Sequence, residues 1–143
     1  MASVYDVAEY ILSKTGRITT WKLQKLVYFA QAWHLIWDEE PLFPEDIQAW
    51  ANGPVCPDLY KKHQGFFHVS TVRANPDALS EGERETVDVV VAHYGDYSGQ
   101  QLSDLTHSEP PWMNARKGIP TRVRGNRVIS HESLAEYYGS LQE

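Results

Sequence analysis

The chain has 143 residues, 42% of them hydrophobic, which suits one compact domain spanning 1–143 that buries roughly two thirds of its unfolded surface. An aromatic content of 12% excludes a disordered chain, and a net charge of -6 excludes a uniformly basic surface made for nucleic acid or anionic lipid. The single cysteine, Cys56, excludes an internal disulfide framework and any zinc site built on paired cysteines.

Val4, Val7, Ala8, Ile11 and Leu12 recur at helical spacing behind a Ser3 cap, with Gly16 as the stop. Thr19 or Thr20 then caps a longer helix, Trp21 to Trp37. Leu23, Leu26, Val27, Ala30, Trp33, His34 and Trp37 form its apolar stripe, and Phe29, Ala32 and Ile36 widen it. Such a helix belongs at the centre of the molecule, with His34 as a hydrogen-bonded core histidine. Gln24, Tyr28 and Gln31 fill the remaining arc, where a solvated strip and a contact surface are equally good readings.

The run Leu42 to Trp50, with Glu45 and Asp46 behind Pro44, predicts a short helix broken at Asn52-Gly53-Pro54. Pro57 opens another, Asp58 to Gln64, closed by Gly65. Residues 66–79 lack a helical period and are expected as an ordered loop, with Phe66-Phe67-His68-Val69 able to extend. Ser80-x-x-Glu83 and Ser98-x-x-Gln101 are capping boxes, the first ahead of a helix ending at Gly95 and the second ahead of one through Leu102 and Leu105 to Thr106. Pro110 to Arg116 reads as a short helix, 117–128 as loop or hairpin, and Ser130 as the cap of a last helix through Leu134, Tyr137, Tyr138 and Leu141. The expected fold is mainly α: six to eight helices, several short, around the central one near residues 20–37.

Chemistry is sparse. His63 and His68 straddle Gly65 and cannot share a helix face, no His-Glu-x-x-His exists, and no metal or other cofactor is expected. Cys56 before Pro57, or His107 with Glu109, could carry a small enzyme, but neither has an assignable catalytic partner. The N-terminus lacks the basic and apolar segments of a leader, and no run of about eighteen apolar residues occurs. An unanchored cytoplasmic protein is expected. Residues 110–131 hold Arg116, Lys117, Arg122, Arg124 and Arg127 without an acid, so 116–127 could hold an acidic partner or, as a lesser alternative, nucleic-acid phosphates.

Four blocks read together as a family: Trp21-Lys22-Leu23-Gln24-Lys25-Leu26-Val27-Tyr28-Phe29-Ala30-Gln31-Ala32-Trp33-His34, then Ala49-Trp50-Ala51-Asn52-Gly53-Pro54-Val55, then Leu59-Tyr60, then Leu102-Ser103 through Thr106-His107, Glu109, Pro111-Trp112 and Ala115-Arg116. They resemble the Panacea domain of SocA-like antitoxins, a family that includes phage-associated GepA-type proteins. The resemblance implies a non-enzymatic member of a toxin-antitoxin system, binding a toxin encoded nearby. Neutralisation by occlusion, by allostery or by delivery to a protease partner stays open. It also implies the domain alone, without the DNA-binding helix-turn-helix of some relatives. Trp33, Trp50, Gly53, Pro54, Tyr60, His107, Glu109 and Trp112 stand in the shared blocks as scaffold residues, Trp112 as cover for the central helix. Gln24, Lys25, Tyr28, Gln31, Asn52 and Arg116 are the toxin-facing candidates.

Overall fold

A computed structural model describes residues 1–142; Glu143, the last residue of the expected domain, lies outside the described residues. The elements, in order, are α1 (Val4–Thr15), β1 (Ile18–Thr19), α2 (Thr20–Trp37), β2 (Gln48–Trp50), β3 (Gly53–Val55), α3 (Pro57–His63), β4 (His68–Val69), α4 (Glu81–Tyr94), α5 (Gly99–His107), α6 (Pro110–Ala115) and α7 (His131–Leu141). The architecture is mainly α, with α1, α4, α5 and α7 packed around α2. Helix α2 is buried on nearly every side: Leu23, Leu26, Val27, Phe29 and Ala30 have no exposed surface. One apolar cluster runs from Ala2 to Tyr138 across these helices.

Local sequence explains most helix ends. Ser3, Ser80 and Ser98 each accept from the third helical backbone N–H, while Asp6, Glu83 and Gln101 return the bond to the cap. Thr19 caps α2 through the Lys22 amide at 3.2 Å. His34 is the expected core histidine, its Nδ1 3.0 Å from the Thr86 hydroxyl.

Two expectations fail. Residues 42–50 do not form a helix: 48–50 is a strand, paired antiparallel with 53–55 as Gln48↔Val55, Ala49↔Pro54 and Trp50↔Gly53. The Gly53-Pro54 turn therefore lies in a hairpin, not between two helices. Ile47 and Ala49 point inward while Gln48 and Trp50 are half-buried, a period of two that outweighs the helix-like start at Pro44. Arg127 and Ile129 extend this hairpin, the Ala49 amide donating to the Arg127 carbonyl and the Ile129 amide to that of Ile47, each at 2.8 Å. Gly53 is required twice over: its φ is +125°, and a Cβ there would lie 2.7 Å from Lys25 Cε. The extended segment at 68–69 does form, pairing with β1 as Ile18↔Val69 and Thr19↔His68.

Candidate functional site

Aromatic side chains gather where the start of α2, the hairpin and the α3–β4 link meet. Trp21, in the first turn of α2, is 39% exposed, and Phe66 and Phe67 are 67% and 68% exposed. The link carrying these phenylalanines is tied to α2, because the Thr20 amide donates to the Phe67 carbonyl at 3.0 Å. From the hairpin comes Trp50, edge-on to Tyr60 of α3 with ring centroids 5.1 Å apart. Three clefts of about 350, 600 and 520 Å³ open between these groups, and Trp21 lines all three. Trp50 and Tyr60 line two of them, Phe67 and Asn52 two, so the three clefts adjoin along shared walls and make up an aromatic trough. Among the described residues lining it there is no carboxylate, whereas Arg124, His63 and His107 all reach it.

Most of the polar residues singled out as toxin-facing lie inside the molecule. Gln24, Lys25, Tyr28, Gln31 and Arg116 are all buried, which corrects the picture of an open polar arc on α2. Gln24 clamps the backbone of Cys56: its Oε1 accepts from the amide at 2.9 Å, and its Nε2 donates to the carbonyl at 3.2 Å and approaches His63 Nε2 at 3.0 Å. Gln31 does the same one loop away, accepting from the Leu42 amide at 2.7 Å and donating to the Phe43 carbonyl at 2.9 Å. The Tyr28 hydroxyl lies 3.3 Å from that of Tyr138. Arg116 donates through Nη1 to the Ala49 carbonyl at 3.0 Å and through Nη2 to the Pro120, Thr121 and Val123 carbonyls. Of the six candidates only Asn52 is exposed, on the rim of the trough.

Lys25 lies fully buried against the Trp21 ring, off the lining of the clefts. Its ammonium sits 5.0 Å over the indole and donates to the Pro54 carbonyl at 3.0 Å, with no carboxylate partner. Burial pushes its pKa down to about 7. The unfolded chain keeps that proton until near pH 10.5, whereas the folded chain releases it near 7, so the unfolded state binds more protons across that window. Stability is therefore expected to rise with pH above about 7, by at most about 1.4 kcal/mol per pH unit. Below about 7 both states are protonated and the penalty is constant. Above pH 9 the Cys56 thiol, pushed up to about 11 by burial, and the buried tyrosines act in the opposite direction. The clean interval is pH 7 to 9. Lys25→Met should flatten the slope there, as read by denaturant unfolding at each pH; a variant as steep as the parent would refute a buried, easily deprotonated amine.

The remaining singled-out residues make contacts within the fold. Trp33 Nε1 donates to the Tyr94 hydroxyl at 3.0 Å. Glu109 accepts from Tyr138 at 2.6 Å and from Tyr137 at 3.5 Å, and desolvation holds its carboxyl above the usual range. His107 stacks on Trp112 with centroids 4.2 Å apart, and its pKa is lowered, first by desolvation and then by Lys25. Its buried Nε2 has no hydrogen-bond partner. Trp112 is buried in the apolar cluster, and its indole N–H caps the Trp50 carbonyl at 2.8 Å, joining α6 to the hairpin.

These environments weaken an enzymatic reading. The Cys56 thiol stays protonated near neutral pH, and the carboxylate of Glu109 is held by tyrosines rather than by His107. No group of three or more potential metal ligands occurs among the described residues. The basic 116–127 segment is also altered by folding: Arg116 is internal, while Lys117, Arg122, Arg124 and Arg127 stay exposed, Arg127 donating to the Lys117 carbonyl at 2.6 Å. No helix among the described residues is long and apolar enough to cross a membrane.

Trp21, Phe66 and Phe67 were absent from the residues the sequence reading selected for a binding role. The available signal was a pair of adjacent phenylalanines behind Gly65 in a segment with no helical period to bury them.

A sequence model of the family described as antitoxin SocA-like, Panacea domain, matches residues 23–113. That span carries the hairpin, α3, Phe66 and Phe67. Comparison with the curated proteins and with the solved structures gave no match.

Proposed function

The chain belongs to the Panacea-domain family of SocA-like antitoxins, and from that premise we propose that it neutralises a toxin encoded beside it by direct, non-catalytic contact in the cytoplasm. The aromatic trough is the contact surface. What supports this assignment is the exposure of Phe66 and Phe67 beside Trp21, since adjoining large apolar side chains left in water mark interaction sites. Aromatic anchors ringed by polar groups are also where binding energy concentrates, within a standard interface of about 1,200–2,000 Å². The withdrawal of Arg116 into the fold takes one cation of the basic segment away from the surface, and the aromatic walls of the trough suit a protein partner better than nucleic-acid phosphates.

The test is growth rescue by co-expression with the product of the neighbouring gene. The wild-type chain should restore growth, and a Phe66→Ala, Phe67→Ala double variant should fail to do so while melting within a few degrees of the parent, because both rings are largely exposed. A neighbouring product that is harmless when expressed alone, or undiminished rescue by the double variant, contradicts the proposal.

A further inference from the structure

The trough has a definite chemistry on its walls. Apolar and aromatic surface comes from Trp21, Trp50, Tyr60 and Phe67, while the charged residue on the outer rim is Arg124, exposed on the loop beside Asn126. No carboxylate lines any of the three clefts, although the chain as a whole is acidic at -6. The acidic body attracts basic segments and repels acidic ones at long range, so selection falls to the trough itself: there a carboxylate finds Arg124 with no competing acid, beside an apolar slot, whereas a basic side chain finds no counter-charge. The cleft of about 600 Å³ between Trp21, Trp50 and Arg124 has room for one large side chain and its flanking backbone.

We infer that the trough takes an acidic linear segment of the partner protein, with an aromatic or aliphatic anchor seated between Trp21 and Trp50 and a carboxylate of the segment paired to Arg124. The occupant is a peptide segment rather than a free nucleotide because Arg124 is the one exposed cation on the lining, too little for a phosphate chain, while the aromatic wall extends through three adjoining clefts. This inference rests on the trough being the toxin-contact surface, and it specifies which part of a toxin the trough accepts.

The probe is a phage-displayed library of random linear dodecapeptides selected on the full-length chain, followed by fluorescence anisotropy with the enriched peptides. Enrichment of sequences that combine Asp or Glu with Trp, Phe or Leu is expected. Arg124→Glu should weaken those peptides about tenfold or more, as should raised salt, and Phe67→Ala should weaken them with no change in fold. Arg122→Glu, a like change on the same loop, should leave affinity within about twofold. Selection of basic or uncharged peptides, no enrichment at all, or equal binding by Arg124→Glu would overturn the inference. Self-association lost on Arg124→Glu, seen by sedimentation, would instead give the trough to a second copy and overturn it equally. The antitoxin reading fails separately: if peptides behave as expected but the neighbouring product needs no neutralising, the trough chemistry stands and the role in neutralisation falls.

Discussion

Replacing Arg116 with methionine is expected to destabilise the protein by about 3–5 kcal/mol, even though arginine is the residue type most often assigned to a surface contact. The guanidinium is 3% exposed and ties four backbone carbonyls together, Ala49 in the hairpin with Pro120, Thr121 and Val123 in the loop that follows α6. It also lies 5.2 Å over the Trp112 ring, whose N–H caps the Trp50 carbonyl on the same hairpin. Methionine fills much of the space but leaves the Ala49 carbonyl buried without a donor and frees the loop. Lysine is expected to recover less than half of the loss, because one ammonium cannot span carbonyls fixed by a planar fork. Denaturant unfolding of the three proteins gives the answer, and a loss below about 1 kcal/mol for methionine would falsify the scaffold role.

Gln24→Met is expected to cost about 2–4 kcal/mol, and Gln31→Met a similar amount, because each amide satisfies both a donor and an acceptor on a buried loop backbone. The apolar replacement keeps the volume and removes the partners, so Cys56 in one case and Leu42 with Phe43 in the other keep polar groups with nowhere to turn. Amide hydrogen exchange at Cys56 should accelerate in the first variant and at Leu42 in the second. Rescue from toxicity should track stability, returning when cells are grown cooler. A variant that folds as well as the parent yet fails to rescue would restore these glutamines to the toxin interface.

These expectations invert the sequence reading of α2, and the reason lies in what covers the helix. Its polar arc was visible at residue level, and so was the alternative that something covers it. Period and composition do not say what does. The hairpin of β2 and β3, together with the loop at 42–43, lies over that arc, and loop backbone has hydrogen-bonding groups that only polar side chains can satisfy. The hairpin itself was hidden because Pro44 followed by acids imitates a helix start, while the strand is three residues long and its burial comes partly from the distant 127–129 segment. The bond from the Trp112 indole to the Trp50 carbonyl of that hairpin was hidden for the same reason.

By itself the amino-acid sequence determined the local features: seven helices from caps, stops and apolar spacing, a central α2, a buried His34, and the residue blocks that mark the antitoxin family. Capping boxes and helical periods are interactions within a few residues, so they are legible without knowing the fold. Only the tertiary structure decided which polar side chains turn inward to hold loops and which aromatics stay in water. That choice depends on groups far apart in the chain, Arg116 with Ala49, Gln24 with Cys56, and Trp21 with Trp50 and Phe67, brought together once the core has formed.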